Sequence, residues 1–311
     1  MNLKEAFKIR KKDAESDEVI ITIGNHLATE QVFKSEEEAQ KIIDATDWNL
    51  VAALIYACKE ADQWEEKLKE TLKSYFGNLW DDPWYTFPFL FKLDNDLRKK
   101  LGEERCENIT FIRSSGSKLK EDKPFPDLLH PDYKTLIRYC KKKGVTIGLH
   151  TSYEAGIDPS LINAEMVKLA KFTGTKINFN RHHFLNARNP KDMQYISDAG
   201  LQHDFSLGYA DMAGFRLGTC RPVKWINPYT AVVDHNLTLH SLNIMDRTLD
   251  DKRYMYMNAH DAFQYCVQLI EMIASYNGEL SMLWHNNSVE KSSVSYHRQL
   301  YQQLIEYLSE K

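Results

Sequence analysis

Val145-Thr146-Ile147-Gly148-Leu149-His150-Thr151-Ser152-Tyr153 reads as a short apolar strand that ends on a histidine and runs into a polar turn. A histidine at the carboxyl end of a buried parallel strand faces the rim where α/β enzymes place their chemistry. The same grammar recurs down the chain. Residues 176–180 lead into Arg181-His182-His183, 201–203 into Asp204, 237–245 into Asp246, and 279–284 into His285. Five apolar runs, each delivering an ionisable side chain, put His150, His182, His183, Asp204, Asp246 and His285 on one expected face.

Helices are expected between these runs: 86–100, with Pro88 tolerated in the first turn, then 132–143, 159–173, 190–199, 261–276 and 295–309. Several stop at a glycine (Gly144, Gly174, Gly200), the residue that takes the left-handed C-terminal position at least cost. Residues 108–113 form a further strand, and 208–229 read as a long irregular stretch. Strand–helix repetition implies parallel βα units. Five strands after Asn108, six or seven with the N-terminal region, fit an incomplete (β/α) barrel better than a Rossmann sheet. No GxGxxG or GxxxxGK[ST] follows any strand, and no GxSxG nucleophile elbow is present.

The first 60 or so residues differ. Residues 18–23 (EVIITI) are β-branched and strand-like, and Gly24-Asn25-His26 reads as a turn. Ser35 followed by Glu36-Glu37-Glu38 is a helix start. Residues 48–64 carry a helical apolar stripe, and 64–76 read as a charged amphipathic helix. The expected division is an atypical segment of strand plus helices over 1–62 and an α/β barrel over 63–311.

Composition sets the outer bounds. The chain has 311 residues, 43% hydrophobic and 27% charged, ordinary for a globular protein with a sizeable core. A net charge of −4 provides no global attraction to nucleic acid or to an anionic membrane, so neither is an expected partner. No run of about 18 apolar residues exists, so no membrane span is expected. The charged N-terminus MNLKEAFKIRKKDAESDE lacks the apolar core of a secretory signal. Cys58, Cys106, Cys140, Cys220 and Cys266 are dispersed without a CxxC pair, which suits reduced thiols and a cytoplasmic location. The oligomeric state is open.

Histidines and carboxylates on one rim suit a divalent metal such as zinc, which lowers the pKa of bound water to about 7. Any one histidine is more often a satisfied polar residue; several at strand ends shift the balance. Arg181 suits an anion or carboxylate, with a surface salt bridge as the plainer alternative. Asp204 and Asp246 suit the orientation of a histidine, with capping or turn formation as the plainer alternative.

From Trp64 onward the chain resembles NodB-type polysaccharide deacetylases, in the divergent branch tied to bacterial surface-polysaccharide (lipopolysaccharide or capsule) synthesis. The matching stretches are DPWYTF (82–87), GLHTSY (148–153), RHHFL (181–185), HDFSLGYADMAGFRLGTC (203–220), HSLNIMDRTL (240–249) and LWHNNS (283–288). The resemblance implies a distorted (β/α)7 barrel and a metal-dependent hydrolase that removes the acetyl group from an N-acetylated sugar or polysaccharide precursor. It implies His150, His183 and Glu154 as metal ligands, with Glu154 standing where the motif His-Ser/Thr-x-x-His has its second histidine. Arg181 matches the arginine that orients the base, and His285 the acid histidine, with Asp204 and Asp246 as partners. Tyr153, Trp284 and Arg216 lie in the matching stretches as expected saccharide contacts. The departure is at the front: the family's Asp-x-Asp, its base and one ligand, does not stand ahead of Trp64. A second reading therefore accompanies the first, a descendant that binds a saccharide or a partner without hydrolysis.

Overall fold

The structure is a computed structural model that describes residues 7–13, 17–23, 26–27, 32–45, 82, 85–124, 126–188, 190–290 and 295–311. It divides into two compact units, one of residues 1–86 with 290–292 and one of 87–289 with 293–311.

In the first unit, the β-branched run forms strand β2 (Val19–Ile23), antiparallel to β1 (Phe7–Lys11) on one side and β3 (His26–Leu27) on the other. Helix α1 (Glu36–Ala45) starts at Ser35, whose Oγ accepts the Glu38 N–H at 3.2 Å. The Glu38 carboxylate reaches back to the Lys34 N–H at 2.9 Å, so two end groups of the helix are satisfied reciprocally. Val19, Phe33, Ala39 and Ile43 are buried in this unit. The helical readings of 48–64 and 64–76 fall outside the described residues.

The second unit is mixed α/β. Helix α2 (Phe87–Leu101) precedes β4 (Ile109–Ile112), α3 (Pro131–Lys143) precedes β5 (Thr146–Thr151), and α4 (Ile162–Thr173) precedes β6 (Phe179–His182). Helix α5 (Pro190–Asp198) then leads to β7 (His203–Leu207), and the hairpin β8 (Val223–Ile226) and β9 (Val233–Ser241) follows. The six strands lie in the order β4-β5-β6-β7-β9-β8. All neighbours are parallel except β8 and β9. A two-residue strand β10 (Ile244–Met245) pairs in parallel with β11 (Met282–Leu283), and helices α6 (Asp246–Asp250), α7 (Ala259–Ser275) and α8 (His297–Ser309) complete the unit.

The alternation of helix and parallel strand is as expected, and three details differ. The stretch 208–229 contains β8, an edge strand hidden among glycine, proline and arginine. Residues 237–245 are not one strand: after Ser241 the chain leaves β7 and takes β11 as a new partner at Ile244, which carries Asp246 to the end of β11. Asp204 is not at a strand end. Leu201 and Gln202 belong to the turn, with Gln202 N–H bonded to Asn178 O at 2.7 Å, so β7 begins at His203 and Asp204 is its second residue.

The two-residue period of the strands fixes which side chains share a face. His150 registers with Arg181, Phe111 with Gly148, and Phe179 with His203. These residues occupy one face, and the Phe111 ring packs near Phe205 at 5.9 Å. A Cβ on Gly148 would lie 2.7 Å from the Phe111 ring and 3.2 Å from Phe179 Cβ, so only glycine leaves room for the ring. The opposite face carries Leu149, Thr151, Asn180, His182, Asp204 and Ser206, all buried. Around α7 and α8, Ile244, Leu249, Cys266, Leu269, Leu300 and Leu304 form a core cluster.

Candidate functional site

Strand β5 delivers His150 next to Arg181 of β6, and the His150 Nδ1–H donates to the Arg181 carbonyl at 2.8 Å. His183 opens a short 3-10 turn (His183–Leu185) directly after β6. Its Nε2–H donates to the Glu121 carbonyl at 2.9 Å, and its Nδ1 faces His150 Nε2 at 3.1 Å. A carbonyl only accepts, so both outer nitrogens carry hydrogen. The two inner nitrogens then point their lone pairs at a common point, where one proton or one cation satisfies both. Burial, followed by the Arg181 and His183 charges, pushes His150 well below the ordinary histidine range. Burial and then Arg113 lower His183.

Arg181 lies over the Phe111 ring, its guanidinium carbon 4.2 Å from the centroid. Its Nε is buried without a hydrogen-bond partner. Among the described residues no carboxylate pairs with it. Burial lowers its pKa to about 9, partly opposed by the charge of Asp246, so it remains a cation at neutral pH.

Asp246 is fully buried at the start of α6. One carboxylate oxygen accepts the His285 Nδ1–H at 2.7 Å and the other accepts the His285 backbone N–H at 2.7 Å. The Arg247 N–H adds a bond of 2.8 Å. Burial alone would raise this carboxyl, but the charge of His285 and its hydrogen bonds hold it at about 2. The dyad fixes the His285 tautomer and leaves Nε2 directed away from Asp246, on a half-exposed side chain. His150 and His183 both feel the His285 charge. The structure thus pairs His150 with His183 beside Arg181, and His285 with Asp246.

Two buried acids that the sequence did not single out hold the surrounding loops. Asp122 accepts the Tyr153 N–H at 2.7 Å, the Glu154 N–H at 3.1 Å and the Ser117 hydroxyl at 2.8 Å. Arg113 donates to the Asp122 carbonyl at 3.0 Å and the Pro124 carbonyl at 2.7 Å. This fastening presents the neighbouring Glu121 carbonyl to His183. Glu165 of α4 accepts the Ser152 N–H at 2.9 Å and its hydroxyl at 2.5 Å, and burial raises its pKa. Both acids sit in a loop or a helix with no periodic signal to mark them.

The other expected residues lie elsewhere. Glu154 enters a 3-10 turn (Glu154–Gly156) beside a shallow cleft lined by Gly116, Ser117, Lys118 and Leu119. Among the described residues no three His, Cys, Asp or Glu side chains converge on a metal position, so Glu154 does not complete the histidine pair. Asp204 is buried on the opposite face, accepting from Asn180 at 2.8 Å and from the Ser206 N–H and hydroxyl at 2.9 Å each. Trp284 packs on the α7–α8 core and donates to the His297 carbonyl at 3.3 Å. Arg216 donates to the Gly208 carbonyl at 3.2 Å. Tyr153 is at the rim: its ring meets Phe184 edge-on at 5.7 Å, and Arg188 donates to its hydroxyl at 3.0 Å. Phe184, 63% exposed, adopts φ 56°, a left-handed conformation unusual for an aromatic residue. Held beside His183 at a ring distance of 4.6 Å, it forms an open aromatic surface next to the histidine pair.

A second hydrogen-bonded series runs from His203 at the start of β7 to His240 near the carboxyl end of β9. His203 bonds His240 at 2.9 Å, and the His240 Nδ1–H donates to Glu279 at 2.6 Å. Phe179 stacks on His203 and Phe205 on His240.

No helix among the described residues is long and apolar enough to cross a membrane. No family model matches the chain, and no curated protein is significantly similar to it.

Proposed function

We propose that the chain is a NodB-type carbohydrate deacetylase, a metal-dependent hydrolase that removes an acetyl group from an N-acetylated sugar or saccharide precursor. The observations that carry this reading are the buried Asp246 holding His285 by two hydrogen bonds and the opposed inner nitrogens of His150 and His183 at 3.1 Å. On this reading the parallel sheet and the β10–β11 pair are parts of one distorted (β/α)7 barrel wall.

The histidine pair fits a divalent ion. Two imidazole nitrogens 3.1 Å apart, each with its outer N–H on a backbone carbonyl, present the donor chemistry and second hydrogen bonds of zinc histidines. His150 and His183 would hold the ion, which when bound supplies an activated water. His285 does the chain's own proton work. Its Nε2–H protonates the sugar nitrogen as the C–N bond of the acetamide breaks, while Asp246 stabilises the imidazolium before transfer. Tyr153 and Phe184 provide an aromatic surface for the apolar face of a sugar ring. The family's Asp-x-Asp, its base and one ligand, has no counterpart ahead of Trp64 in this sequence.

His285→Ala is expected to reduce acetate release from an N-acetylhexosamine by about 10²-fold or more, the usual scale of a lost general acid. Unchanged acetate release in that variant would contradict the role. A second reading, saccharide binding without hydrolysis, is favoured by the lack of a third convergent ligand among the described residues. It requires that the parent protein bind the sugar and release no acetate.

A further inference from the structure

Within this cluster, the Arg181 guanidinium is a cation with no hydrogen-bond or ion-pair partner among the described residues. His150 and His183 are tied to carbonyls, Asp246 to His285, and Arg113 to two carbonyls beside Asp122. The Arg181 guanidinium has only the Phe111 ring on its face, its Nε is buried without a partner, and no hydrogen bond or ion pair engages its terminal nitrogens among the described residues. A buried guanidinium Nε–H without a hydrogen bond is an unsatisfied polar group, which is costly unless a ligand completes the site. The sequence around it maintains the arrangement: Gly148 leaves the space that Phe111 fills, and Phe111 supports the guanidinium. The nearby acids are already engaged, Asp246 by His285 and Asp122 by Ser117 and two backbone N–H groups. The open charge in this part of the molecule is therefore positive.

We propose that Arg181 binds an anionic group of the ligand, a carboxylate or phosphate, so that the saccharide this protein takes is an acidic one. A planar guanidinium with its terminal nitrogens unengaged matches either anion through two parallel hydrogen bonds. The proposal rests on the saccharide reading only for its choice of probes; the anion site itself does not require hydrolysis.

The test is thermal unfolding of the full chain with glucuronate, inorganic phosphate or neutral glucose. Arg181→Gln and Arg181→Lys are run beside the parent. At about tenfold saturation an anion that fits should raise the parent's midpoint by roughly 3–5 °C, with glucose inert. Arg181→Gln should lose that rise while unfolding no earlier than the parent in anion-free buffer, because it removes an unpaired buried cation. Arg181→Lys should keep part of the response. A response to glucuronate alone identifies a carboxylate, and a response to phosphate alone identifies a phosphorylated sugar. No response of the parent to either anion, or an equal response in Arg181→Gln, overturns the proposal. So does a lower anion-free midpoint in Arg181→Gln, which would mark the arginine as structural. Anion binding without any acetate release would overturn only the deacetylase reading.

Discussion

Asp246 shows two opposed effects meeting on one atom group. Burial disfavours its charge, yet the His285 charge and hydrogen bonds bring it from the ordinary 3.8 to about 2. A folded-state value below the unfolded one stabilises the fold fully above about pH 4, and that stability is lost as pH falls toward 2. Asp246→Asn should therefore flatten the acid limb of stability measured by urea midpoints between pH 5 and about 2, and an unchanged limb would contradict the pairing. Gly148 is a steric counterpart. Adding one methyl group puts a Cβ into the Phe111 ring, and overpacking of this kind costs about 1–3 kcal/mol. Gly148→Ala should lower the denaturation midpoint accordingly. Through Phe111 it should also weaken whatever Arg181 binds.

At the scale of elements, Asp94 ties three parts of the second unit together. It lies in α2 and accepts from Asn108, just before β4, and from the Tyr301 hydroxyl of α8. Burial raises its pKa to about 7, although Tyr301 works in the other direction. A carboxyl raised above its unfolded value binds its proton more tightly in the folded state. Stability should then fall as pH rises from about 4 to 7 and level off above that. Asp94→Asn should abolish that slope in denaturant titrations; a slope retained in the variant would contradict the assignment. The elements themselves were legible to different degrees. Strand β5 and helix α8 were readable from their apolar spacing, and helix α3 from its apolar spacing together with the terminal Gly144. The hairpin strand β8 was not, because it is only four residues long, follows Arg221-Pro222 and exposes Lys224 and Ile226. Asp204 was misread because an apolar Leu201 in the turn looks like the start of a strand. A buried polar row of Asn180, Asp204 and Ser206 also defies the rule that strand polar residues face water. Asp122 and Glu165 were invisible because their role is set by which loops fold over them.

At the scale of the molecule, one sheet face carries two separate histidine systems. His150 and His183 sit at the carboxyl ends of β5 and β6; His203, His240 and Glu279 form a hydrogen-bonded series that starts at β7 and β9. Both systems include a histidine–carboxylate pair, His285–Asp246 and His240–Glu279, but among the described residues the open aromatic surface of Tyr153 and Phe184 stands beside the first, which is why the proposed chemistry is placed there. The central claim is that the opposed nitrogens of His150 and His183 hold a divalent ion in a hydrolytic site. Elemental analysis of the purified chain after incubation with zinc at neutral pH and removal of excess tests it directly. The account requires about one zinc per chain, lost in both His150→Ala and His183→Ala while each variant stays folded. No bound metal in the parent, or metal retained in both variants, would contradict it.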